Sequence, residues 1–136
     1  LAVSSLTELD KGTKFIPVID EVDKEIKSEK VKKVIFCSGK VYYDLIELRR
    51  ERKIDNISII RFEQLFPFIE EDVIKIMKKY QKASKFIWCQ EEPRNMGAWK
   101  FIRHQLDACL EKAGIKAQLS YTGRERSASP AVGYLY

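Results

Sequence analysis

With 136 residues, 45% of them hydrophobic, the chain is long enough for one domain with a core and too short for two of ordinary size. It contains no run of about 18 or more apolar residues and no signal-peptide pattern, which excludes a membrane-spanning helix and predicts a soluble, intracellular protein. The formal charge of +5 would suit nucleic acid, but the basic residues interleave with Asp and Glu along helix faces, so a solvated, mildly basic surface and no nucleic-acid partner are expected.

Residues 1–30 read as a linker that leads into the domain. Leu1–Thr13 mixes small, polar and scattered apolar residues, and the chain opens at Leu1 without methionine, as expected of a piece of a longer polypeptide. Phe15–Ile19 is extended, but Pro17 removes a ladder donor, which makes it an edge strand or no strand. The charged stretch Asp20–Lys30 reads as a solvated loop.

The domain proper is expected over residues 31–136. Lys33–Ser38 is a continuous apolar run ending in Ser38-Gly39-Lys40, after which the pattern turns helical with Val41, Leu45 and Leu48 on one face. Ile57–Phe62 is the next apolar run. Pro67 then breaks the chain before a helix in which Val73, Ile76, Met77 and Tyr80 recur at helical spacing. Lys85–Cys89 is a third strand, followed by a helix from about Gly97 to Ala113 with the stripe Trp99, Ile102, Leu106, Cys109, Leu110 and Ala113, stopped by Gly114. Lys116–Tyr121 is a fourth strand. Thr122–Tyr136 reads as a loop that adds a short edge strand at Gly133–Tyr136.

Apolar strands alternating with amphipathic helices predict right-handed crossovers and an α/β fold: three layers, with a mainly parallel sheet covered on both faces.

The chemistry-bearing residues are sparse. Ser38-Gly39-Lys40 places backbone donors and one cation at a helix N-terminus, an anion-binding arrangement, but it lacks the glycine spacing that wraps a pyrophosphate. Glu91 and Glu92 are adjacent, so they point apart and are better read as a helix cap near Gly97 or as partners of an arginine than as an acid–base pair. Trp88 and Trp99 flank this turn as packing residues. Cys37, Cys89 and Cys109 lack C-x-x-C spacing and read as reduced, buried thiols. His104, the only histidine, falls off the apolar stripe, so neither a triad nor a metal site can be argued from it. Arg124, in Gly123-Arg124-Glu125-Arg126, is a further anion or ion-pair candidate.

Four separated stretches carry a resemblance: Cys37-Ser38-Gly39-Lys40-Val41-Tyr42-Tyr43-Asp44-Leu45, Arg61-Phe62-Glu63-Gln64-Leu65-Phe66-Pro67-Phe68, Trp88-Cys89-Gln90-Glu91-Glu92-Pro93 and Ser127-Ala128-Ser129-Pro130-Ala131-Val132-Gly133-Tyr134. In this order they closely resemble the C-terminal domain of 2-oxoglutarate dehydrogenase first components. The resemblance implies a transketolase C-terminal-type fold within a large homodimeric enzyme. That enzyme decarboxylates 2-oxoglutarate on thiamine diphosphate with magnesium, and passes the succinyl group to the lipoyl arm of a dihydrolipoyl succinyltransferase core. The cofactors belong to earlier domains, so this stretch is expected to bind none, to hold no catalytic or metal-binding residue, and to support domain and dimer packing. Lys40, Gln64, Gln90, Glu91, Glu92 and Arg124 are the expected interface or anion-site residues, with Glu91 a structural anchor. In actinobacterial relatives, arginines just past the proline matching Pro67 help bind acetyl-CoA as an activator. Glu70, Glu71 and Asp72 stand near there instead, which predicts no such activation. The Lys- and Ile-rich composition points to a bacterial, cytoplasmic setting, with the mitochondrial matrix as alternative. The rival readings are the same domain of a 2-oxoadipate dehydrogenase and a stand-alone regulatory or nucleotide-binding module.

Overall fold

The continuous apolar runs become strands buried on both faces. The computed structural model describes residues 16–123. In chain order these are β1 (Val18–Ile19), β2 (Lys33–Cys37), α1 (Val41–Glu51), β3 (Ile57–Phe62), α2 (Glu70–Lys79), β4 (Lys85–Cys89), α3 (Trp99–Lys112) and β5 (Gln118–Thr122). The sheet order is β1-β3-β2-β4-β5, with β1 antiparallel to β3 and every other pair parallel. The expected three-layer α/β architecture is therefore present.

Side chains alternate across the strands, so each run feeds two cores. Ile35, Cys37, Ile57, Ile59 and Cys89 pack with Val41, Tyr42, Leu45 and Ile46 of α1 on one face. Val34, Phe36, Ile60, Phe62, Phe86 and Trp88 pack with Val73 and Met77 of α2 and with Ile102, Leu106 and Cys109 of α3 on the other. Edge contacts of Phe62 with Phe36 and with Trp88, at 5.9 and 5.8 Å between centroids, lock the second core. Each fully buried ring contributes about 2–3 kcal/mol of transfer free energy.

The edge strand expected near Pro17 is present as Val18–Ile19. The structure corrects several other expectations. The segment after β1 is not a solvated loop. Glu21 Oε1 accepts the Ile59 N–H at 2.9 Å, the Arg49 guanidinium donates to the Ile57 carbonyl at 2.9 Å, and the two side chains pair with each other. A buried ion pair thus takes over where β1 stops, satisfying the outer edge of β3. Asp23 joins Arg49 at 2.8 Å and also grips Arg50, Asp20 holds Lys79 and the Tyr80 hydroxyl, and Ile26 is buried.

On α1 the inward position past Ile46 belongs to Arg49, 1% exposed, while Leu48 is half-buried. The third helix starts at Trp99 rather than Gly97, because Gly97 sits at φ +70°, outside helical space. Gly114, at φ +74°, does end that helix. The last strand begins two residues later than its sequence suggests and includes Thr122, since its register is set by Lys85 opposite Gln118 and Cys89 opposite Thr122. The expected strand at Gly133–Tyr136 lies outside the described residues.

Candidate functional site

Connections leave β2 and β4 in opposite directions, to β3 on one side and β5 on the other, so their carboxyl ends flank the topological switch point. Open α/β folds place ligands in that crevice. Ser38-Gly39-Lys40 leaves β2 here and Gln90-Glu91-Glu92 leaves β4, with Glu63-Gln64 leaving β3 alongside.

Gln90 organises the crevice. It is 3% exposed, and its amide is used entirely within the chain. The carbonyl oxygen accepts the Trp88 indole N–H at 2.8 Å and the Trp99 backbone N–H at 3.1 Å. The NH₂ group donates to the carbonyls of Glu92 (3.1 Å), Pro93 (2.9 Å) and Met96 (2.7 Å). One side chain therefore caps the start of α3 and folds the 90–97 loop around itself. The expectation that Glu91 or Glu92 caps this helix is corrected: Ala98 at the helix start has no side-chain cap, and the capping oxygen comes from Gln90. Gly97 makes this possible, because a Cβ there would lie 3.0 Å from Glu92 Oε1 and 3.1 Å from Gln90 Oε1. Glu91 is half-buried and Glu92 exposed, with the Glu92 carbonyl also accepting the Tyr121 hydroxyl at 3.1 Å.

The remaining candidates have separate local settings. Lys40 is exposed where α1 starts, after Gly39 at φ +78°. Gln64 donates its amide to the Pro67 carbonyl at 3.1 Å and its backbone N–H to Pro17, tying the 63–69 loop to β1. Glu70, Glu71 and Asp72 occupy the first turn of α2, with Glu70 paired to Lys112. Arg124 lies outside the described residues.

Nucleophilic chemistry finds no support in the thiols. Cys37 and Cys89 are register partners facing α1. Burial pushes Cys37 well above its ordinary value, and it pushes Cys89, with the Glu91 charge adding to it, up to about 12. Burial likewise pushes Cys109 up to about 12. All three are thiols at neutral pH, and a thiol is neither nucleophile nor metal ligand. His104 is exposed, and among the described residues no group of three or more His, Cys, Asp or Glu side chains could hold a metal ion. No described helix is long and apolar enough to cross a membrane.

Two clusters were not anticipated from the sequence. Arg61 at the carboxyl end of β3 lies 5.1 Å from the centroids of both the Tyr42 and Tyr43 rings and pairs with Glu63 at 2.6 Å. A second cluster, Arg94, Tyr121, Trp99 and Arg103, forms a stack between α3 and β5. The alternation of Arg and aromatic residues near Trp99 was its one visible signal.

Residues 3–136 match the family model described as 2-oxoglutarate dehydrogenase C-terminal. A 2-oxoglutarate dehydrogenase E1 component of Rickettsia felis is 54% identical over 134 residues, 98% of this chain and 13% of that protein. The corresponding E1 component of Haemophilus influenzae is 50% identical over 135 residues, 99% of this chain and 14% of its own length. The chain thus spans about one seventh of these relatives. The chain belongs to the 2-oxoglutarate dehydrogenase C-terminal family.

Proposed function

We propose that this chain is the C-terminal, transketolase-type domain of a 2-oxoglutarate dehydrogenase E1 component, whose body begins at β1 rather than at residue 31, because Val18, Ile26 and the Glu21–Arg49 pair belong to its sheet and core. The parent enzyme oxidatively decarboxylates 2-oxoglutarate with thiamine diphosphate and magnesium. It works as a homodimer in the bacterial cytoplasm and delivers the succinyl group to a dihydrolipoyl succinyltransferase core. The match over residues 3–136, at about half identity to E1 components, is the observation that carries this reading.

The chain's own contribution is mechanical. The described residues do not fit the cofactor: the amide at the switch point is fully engaged by Trp88, Trp99 and three loop carbonyls, and no acidic cluster suits magnesium. No catalytic step is assigned to them. Instead the Gln90 hub stiffens a loop from which Glu91 and Glu92 project toward neighbouring domains or the second subunit.

The test compares two proteins with 2-oxoglutarate, thiamine diphosphate and magnesium. The full-length polypeptide should release carbon dioxide and the purified 136-residue chain should not. Turnover by the chain alone would overturn the supporting role, and inactivity of the full-length enzyme would overturn the assignment itself.

A further inference from the structure

A cleft of about 870 Å³ runs between the first turns of α3 and β5, lined by Arg94, Trp99, Lys100, Arg103, His104 and Tyr121, together with Asn95, Leu119 and Ser120. Three of the lining side chains are basic, and none is an Asp or Glu. Arg94, Lys100 and Arg103 are exposed and make no ion pair among the described residues, although elsewhere on this surface Lys79, Lys112 and Arg50 are paired with carboxylates.

The two arginines are oriented by aromatic rings. Arg94 lies 4.9 Å from the Tyr121 centroid, Tyr121 contacts Trp99 at 5.3 Å, and Arg103 lies 5.6 Å from the Trp99 centroid. A guanidinium resting on a ring keeps its N–H fork available at the rim, set for bidentate contact with a carboxylate. Trp99 is buried, so this framework is anchored in the core.

The floor of the cleft is a strand edge. β5 is last in the sheet order and, along Gln118–Ser120, it pairs only with β4 among the described residues. An extended chain laid beside it would gain main-chain hydrogen bonds, and alternate side chains would face α3. A small anion uses the cations but not the edge, whereas an acidic polypeptide uses both.

We propose that this cleft docks an extended acidic polypeptide segment, which adds as a strand beside β5 and presents carboxylates at alternate positions to Arg94, Lys100 and Arg103. The proposal goes beyond the family assignment and does not depend on it.

The test is fluorescence anisotropy of the purified chain with a labelled peptide alternating Glu and Val, alongside the same composition rearranged into a Glu block and a Val block, and tripolyphosphate as competitor. The alternating peptide should bind, and should weaken by about tenfold or more between roughly 50 and 500 mM salt. Arg94→Glu with Arg103→Glu should weaken it at least about tenfold, whereas Lys75→Glu with Lys78→Glu on the exposed face of α2 should leave it within about twofold. Arg94→Gln with Arg103→Gln, which removes both charges without reversing them, should give an intermediate loss with an unchanged circular dichroism spectrum. Equal binding of the block peptide would overturn the strand pairing. Displacement by tripolyphosphate at equal affinity would reassign the cleft to small anions, and peptide binding that appears only after removal of residues 124–136 would assign the edge to the chain's own tail. Either result overturns the proposal.

Discussion

The Trp88 indole N–H donates to the Gln90 side-chain oxygen at 2.8 Å, joining the end of a central strand to the cap of the following helix. Replacing Gln90 by Leu leaves the buried Trp88 donor without its partner and uncouples three loop carbonyls. The expected loss is about 2–4 kcal/mol of unfolding free energy by urea titration. Gln90→Glu keeps the acceptor but sets a carboxylate against the carbonyls of Glu92, Pro93 and Met96. Its stability relative to the unsubstituted chain should therefore rise as acid protonates the new side chain and restores one donor. A Glu variant equal in stability to Gln at neutral pH would show that the hub is not what holds the loop.

Gly97 and Gly114 both sit at positive φ, but their surroundings differ. A Cβ at Gly97 would press on Glu92 and Gln90 oxygens at 3.0 and 3.1 Å, whereas at Gly114 it would meet nothing within 4 Å. Alanine at Gly114 should cost only the backbone strain, about 1 kcal/mol, and alanine at Gly97 about 2–3 kcal/mol, because the hub must also shift. Thermal unfolding of the two variants side by side checks the order.

Arg49 is almost wholly buried and faces Glu21, Asp23 and the Ile57 carbonyl. Arg49→Met strands two carboxylates against the edge of β3 and should destabilise by about 3–5 kcal/mol. Adding Glu21→Gln, which still offers an oxygen to the Ile59 N–H, should recover part of that loss. Because the same pair covers the outer edge of β3, the single variant should also self-associate, seen as concentration-dependent elution in size-exclusion chromatography. A single variant that elutes as the unsubstituted chain does, at every concentration, would remove the edge-protection role.

These cases mark how far the sequence could be read. β2, β3 and β4 are legible because burial on both faces makes them mostly apolar runs, interrupted only by Ser58 and Arg61 in β3 and by the leading Lys33 and Lys85, and α2 is legible because Val73, Ile76, Met77 and Tyr80 keep helical spacing. β5 blurs at its start because only Thr122 of its five residues is buried, so no apolar run marks where pairing begins. Glu21, Asp23 and Arg49 look like solvated charges until the chain folds back and brings them together, a contact that local periodicity does not encode. Gln90 was visible as a candidate, but its capping role depends on the left-handed turn at Gly97, which local sequence only permits.

Asp23 makes the same network sensitive to acid. Hydrogen bonds from Arg50, then from Arg49, hold its carboxyl down to about 2, against an ordinary value of 3.8. The folded state therefore prefers the ionised form more strongly than the unfolded state does. The resulting stability is fully present above about 3.8 and is lost as pH falls from there through about 2. The shift corresponds to at most about 2.5 kcal/mol, reduced on the Arg50 side, where that arginine stands in water. Urea titrations stepped from about pH 6 to pH 2 should show the stability falling mostly below pH 4. Asp23→Asn should flatten that limb while lowering the plateau at neutral pH. An Asn variant with an unchanged acid limb would place the proton uptake on other carboxylates and detach Asp23 from the acid response.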